Sequence, residues 1–103
     1  MSPHCADETK YGVAEAVVKH FEALQKKGDK VAGQKIRDLV TVNGVRVTVE
    51  DGTWGLVLAS SNKPELVVVV ESPASEANMR AMFKAVDAVL RTHPEVGEYN
   101  QTI

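Results

Sequence analysis

Asp38-Leu39-Val40-Thr41-Val42-Asn43-Gly44-Val45-Arg46-Val47-Thr48-Val49 changes the rhythm of the chain, and its reading decides the fold. Val40 and Val42 alternate with Leu39 and Thr41, and Val45, Val47 and Val49 alternate with Arg46 and Thr48, the period of two that a strand with one buried side requires. Asn43-Gly44 separates the two runs. A two-residue Asn-Gly loop suits a type I′ turn, in which both central residues take positive φ. It would set Val42 opposite Val45 and Val40 opposite Val47 on one face.

Working outward, a second turn at Asp51-Gly52 leads into a strand over residues 54–59. After Ser60-Ser61-Asn62-Lys63-Pro64 comes the segment 65–71, whose β-branched run suits a central strand covered on both sides. On the N-terminal side, residues 10–27 place Val13, Ala14, Val17, Val18, Phe21 and Leu24 at helical spacing, with Lys19, Glu22 and Lys26 opposite. Asp7 or Thr9 is placed to cap this helix, Lys26 and Lys27 suit its negative end, and Gly28 stops it. Residues 28–35 read as irregular. Ser72-Pro73-Ala74-Ser75 opens a last helix with Met79, Met82, Phe83, Val86, Val89 and Leu90 as its buried stripe, closed by His93-Pro94. Residues 96–103 read as a tail. The expectation is an α+β fold in the order α-β-β-β-β-α, a four-stranded antiparallel sheet with two helices packed on one face.

The 103 residues allow one domain, and 44% hydrophobic with 25% charged residues is an ordinary globular composition. A formal net charge of -2 supplies no positive field for nucleic acid. The longest apolar run, residues 66–70, is far short of the ~20 residues of a membrane span, and no signal-peptide core appears. A soluble, cytoplasmic protein without a membrane or nucleic-acid partner is therefore expected. Cys5 stands alone, so it forms no internal disulfide and no zinc site with His4.

His4, His20 and His93 have no triad or ligand partner at motif spacing, and Glu50-Asp51 reads as a solvated turn rather than an acid/base pair. Met79 and Met82 share the stripe of Phe83 and read as core. Trp54 reads as an anchor of the core or of an interdomain edge. No catalytic residue and no metal ligand is assigned. The loop 60–63 differs, because the hydroxyls of Ser60 and Ser61, the carboxamide of Asn62 and the ammonium of Lys63 stand beside backbone N–H groups that a turn can gather into an anion-binding nest. A polar connection between strands explains the same residues, and both readings stay open at this point.

Four quoted stretches together are similar to one family: Asn43-Gly44-Val45-Arg46-Val47, Asp51-Gly52-Thr53-Trp54-Gly55-Leu56-Val57, Ala59-Ser60-Ser61-Asn62-Lys63-Pro64 with a following strand ending in Glu71, and Cys5-Ala6-Asp7-Glu8-Thr9-Lys10-Tyr11. They resemble the C-terminal, fourth domain of the α-D-phosphohexomutases, the bacterial phosphomannomutase/phosphoglucomutase group. That family carries an N-G-hydrophobic-R hairpin, a D-G-x-W-G strand, a phosphate loop R-[AS]-S-[NG]-T-x-P, and a C-[PA]-D-E-x-K-[FY] passage from its third domain.

The resemblance implies a TATA-box-binding-protein-like fold over residues 10–95, preceded by an interdomain linker remnant at 1–9 and followed by the tail 96–103. It implies that Ser60, Ser61, Asn62 and Lys63 bind the phosphate of a hexose phosphate such as mannose or glucose 1- or 6-phosphate. Leu58 stands where the family has an arginine. The family's phosphoserine loop, magnesium loop and sugar loop do not occur in these 103 residues. The resemblance therefore implies one domain of a larger cytoplasmic isomerase that works with missing N-terminal domains and Mg2+, inactive alone and without a cofactor of its own. The alternative is a stand-alone α+β binding or regulatory module that uses the open sheet face.

Overall fold

The computed structural model describes residues 2–41 and 44–99. The elements run β1 (Pro3–Cys5), α1 (Asp7–Lys27), β2 (Lys30–Val31), β3 (Gln34–Val40), β4 (Gly44–Val49), β5 (Trp54–Ala59), β6 (Leu66–Glu71), α2 (Glu76–Leu90) and β7 (Val96–Tyr99). The fold is α+β, with a five-stranded antiparallel sheet in the order β2-β3-β4-β5-β6 where four strands are expected. The fifth strand comes from the stretch read as irregular. Ala32 and Gly33 carry φ of 53° and 79°, and they join Val31 to its partner Gln34 in a two-residue hairpin loop. Positive φ at both central residues is the requirement of a type I′ turn, here met by Ala-Gly rather than Asn-Gly. The Asn43 turn expected from the sequence lies outside the described residues.

The register of β3 on β4 also departs from expectation. Val40 lies opposite Arg46 and Leu39 opposite Val47, one residue from the expected pairing. A one-residue slip exchanges the faces, so Leu39 packs on the core while Val40 is 44% exposed. Ile36 faces Val49, so three steps along β3 span two along β4, and the bulge between Ile36 and Asp38 lets both Ile36 and Leu39 reach the core.

Helix α1 buries Lys10, Val13, Ala14, Val17 and Phe21, and begins three residues before the expected Lys10. Neither Asp7 nor Thr9 caps it as expected; Ala6 holds the cap position without a side-chain bond, and the Thr9 hydroxyl donates to the Ala6 carbonyl at 3.2 Å. Its end follows the expectation, with Gly28 left-handed at φ 75°. Helix α2 starts at Ser75, whose hydroxyl accepts the Asn78 N–H at 3.0 Å, and buries Met82, Val86, Val89 and Leu90.

Both helices lie on the sheet face formed by Val45, Val47, Val49, Gly55, Val57, Leu66, Val68 and Val70. A Cβ on Gly55 would stand 3.0 Å from Val86 Cγ2 and 3.1 Å from Met82 Cγ, so α2 rests directly on β5 there. Strand β6 is at the end of the sheet order, not in its middle, and Val67 and Val69 lie half-buried on the other face opposite Leu58 and Leu56. Those cross-strand apolar pairs account for the β-branched run without a second covering layer. Trp54 also points to this face, 5.0 Å beneath the Arg46 guanidinium, and is not a core anchor. The chain's two ends pair as a ribbon, Cys5 opposite Val96, so part of the expected tail is strand. Among the described residues no helix is long and apolar enough to cross a membrane.

Asp51 ties the β4–β5 turn to α2. Its carboxylate accepts the Thr53 N–H at 2.9 Å and the Asn78 carboxamide at 2.6 Å, while its own N–H donates to Gln34 Oε1 at 3.0 Å. The Thr53 hydroxyl first, then the Thr53 N–H, with smaller help from Asn78 and Gln34 and against partial desolvation, lower its pKa from 3.8 to about 2. A depressed folded-state value stabilises the fold fully above the unfolded pKa, and this contribution disappears as pH falls through the folded one. The gap in urea midpoint between the wild type and Asp51→Asn is thus expected to be constant above about pH 5 and to close between about pH 4 and 2. A gap unchanged across that range would dismiss the carboxylate as its cause.

Candidate phosphate-binding loop

Strands β5 and β6 end their ladder at Ala59 opposite Leu66, and the six residues 60–65 between them form the loop singled out in the sequence. The Ser60 N–H donates to the Glu65 carbonyl at 3.0 Å and closes it. Inside, the Glu65 N–H donates to the Lys63 carbonyl at 2.8 Å. Pro64 cannot donate, but its carbonyl accepts the Cys5 N–H at 2.9 Å. The turn is therefore held at its base by backbone groups.

The four residues read as a site come together in this turn, with different roles. Ser60 is buried at 7% exposure, and its hydroxyl donates to Asn62 Oδ1 at 3.1 Å, so it shapes the loop from within. Ser61, Asn62 and Lys63 are exposed. Among the described residues, the N–H groups of Ser61 and Lys63, the Ser61 hydroxyl, the Asn62 amino group and the Lys63 ammonium make no hydrogen bond. Five donor groups on three consecutive residues suit the oxygens of a phosphate.

A cleft of about 610 Å³ opens beside the loop, between Tyr11, Ala14, Glu15 and Val18 of α1 and Thr41, Gly44, Leu58 and Ser61.

One contributor was not singled out from the sequence. Lys10 is only 4% exposed, and its ammonium donates to the Lys63 carbonyl at 2.9 Å and pairs with Asp7 at 2.9 Å. It joins the segment 5–11 to the loop 60–65, the two stretches that carry the resemblance at opposite ends of the chain. The available signal was its place on the stripe of Val13, Ala14 and Val17, where a lysine must find a buried partner.

The chain is similar to a phosphomutase. Over 87 residues, 84% of its length, it is 30% identical to the phosphopentomutase of Thermococcus kodakarensis. It spans 18% of that protein. No family model matches the chain. His4, His20, His93 and Glu50 are spread over four separate elements and turns, and Glu50 accepts the Lys35 N–H at 2.9 Å. Among the described residues no three His, Cys, Asp or Glu side chains come together as a metal site.

Proposed function

We propose that this chain is the phosphate-gripping domain of a larger sugar-phosphate mutase, binding the phosphate of the substrate that is not being transferred. The observation that carries the reading is the closed 60–65 turn, pinned by Lys10, which leaves the donors of Ser61, Asn62 and Lys63 without partners among the described residues. The likeness to a phosphopentomutase agrees with the sugar-phosphate class. The loop addresses phosphate and not sugar, so this likeness and the phosphohexomutase motifs are compatible. More finely, the chain is the C-terminal domain, of TATA-box-binding-protein-like fold, of an enzyme interconverting hexose 1-phosphate and hexose 6-phosphate, of the phosphomannomutase/phosphoglucomutase type.

In such an enzyme the bisphosphorylated intermediate must turn over between two transfers. A domain that holds whichever phosphate is not reacting accepts both orientations, and its binding energy positions the other end. The donors of residues 61–63 do this without touching the reacting atoms. The magnesium ion implied for the whole enzyme does not fit the described residues, since they bring no metal-ligand group together. The isolated chain is expected to bind without catalysing.

The test is an amide NMR titration with mannose 1-phosphate, glucose 6-phosphate, a pentose phosphate and inorganic phosphate, with sulfate as the control anion. Saturable shifts confined to residues 58–65 are expected, stronger for phosphates than for sulfate. Shifts on the open face at Leu56, Val67 and Val69 instead would favour the stand-alone binding module. Restoring a guanidinium at the loop's edge with Leu58→Arg is expected to tighten phosphate binding about tenfold or more, since a hydrogen bond to a charged group contributes ~1.5–3 kcal/mol. An unchanged dissociation constant would mean that position 58 does not reach the anion.

A further inference from the structure

We propose that Lys10 is the fixed positive charge and the positioning residue of the phosphate loop, an assignment that rests on the phosphate-binding reading above. A buried ammonium must be paired; the Tyr11 ring lies 5.2 Å away, and the two partners within hydrogen-bond distance are unequal. Asp7 is 69% exposed, so water can replace the ammonium at its carboxylate. The Lys63 carbonyl sits at the inner side of the turn and takes two donors at once, the Lys10 ammonium at 2.9 Å and the Glu65 N–H at 2.8 Å. Both lone pairs of that oxygen are then used, and the planar 63–64 peptide is fixed in direction.

Two consequences follow for an anion. With its carbonyl held, Lys63 cannot turn this oxygen toward the ligand, where it would repel an anion. The charge itself sits 2.9 Å from the loop's Lys63 carbonyl in a site with little water, where it is less screened than on an exposed side chain. The Lys63 ammonium is exposed and has no partner among the described residues, so it is screened by water. Lys10 is half an ion pair, but its partner carboxylate faces solvent. The buried lysine thus supplies in part what an arginine at position 58 would supply.

The closing experiment compares the full chain with Lys10→Met and Lys63→Met, measuring backbone 15N relaxation of residues 60–65 without ligand and then the affinity for inorganic phosphate. In Lys10→Met, Ser61 and Lys63 are expected to lose order and the dissociation constant to rise at least tenfold, against about threefold for Lys63→Met. A folded Lys10→Met with unchanged loop relaxation overturns the assignment whether or not phosphate binds. Failure of the wild type to bind phosphate overturns the functional reading instead, and the relaxation comparison still decides the positioning role. Should Lys10→Met not fold, the wild type suffices. A slowly exchanging Lys10 ammonium signal that is coupled to the Lys63 carbonyl and moves on phosphate addition supports the assignment, and a signal matching those of exposed lysines overturns it.

Discussion

Gly44→Ala is expected to destabilise the domain by roughly 3–5 kcal/mol, the sum of a strained backbone and an overpacked contact. Gly44 has φ of 146°, a region that side-chain-bearing residues rarely adopt. A Cβ there would collide with the Val57 carbonyl oxygen and lie 2.8 Å from Leu58 Cβ and 2.9 Å from Leu58 Cα. Two of these three atoms belong to the backbone of β5, so no rotamer change relieves the contact. Strands β4 and β5 would have to part at the Gly44–Leu58 pair, which is also a wall of the cleft beside the loop. For a domain with about 5–15 kcal/mol in total, such a loss leaves a substantial unfolded population at physiological temperature. Urea denaturation checks it, and a loss below about 1 kcal/mol would show that the strands can separate there at little cost. The Asn-Gly pair is read from the sequence as a turn signal. In the structure its glycine is the first residue of β4, needed for the close approach of β5 as well as for its φ.

That difference shows what local sequence could reveal here. The stripes of α1 and α2, the alternation of Val45, Val47 and Val49, and the polar loop after Ala59 are all expressed within a few residues, and the structure has them. Strand β2 is two residues long and turns through Ala32, whose positive φ no propensity announces. The register of β3 goes with a bulge that serves Ile36 and Leu39 at once, a core requirement that no local pattern states. The β1–β7 ribbon joins residues more than ninety positions apart, which no local pattern encodes. The same holds for the site. The loop donors are adjacent in sequence and were legible, whereas the Lys10 ammonium reaches the Lys63 carbonyl across 53 positions.

Leu66→Ala is expected to cost about 3 kcal/mol, because it leaves a cavity where the loop rejoins the core. Leu66 has no exposed surface, opens β6 opposite Ala59, and directly follows the Glu65 carbonyl that closes the turn. Its neighbour in the ladder, Leu58, lies on the opposite face and is only half-buried, so Leu58→Ala is expected to cost under about 1 kcal/mol by the smaller apolar area it removes. Equal losses from the two truncations in urea denaturation would contradict the assignment of inner and outer faces. The contrast also separates stability from binding at the site. Leu66→Ala should lower the midpoint while the folded fraction still binds phosphate through residues 61–63, since Leu66 contributes no donor and the turn keeps its Ser60–Glu65 bond. Loss of phosphate binding by the folded fraction would mean that the turn's geometry is set by the core packing of β6 and not by its own hydrogen bonds and Lys10.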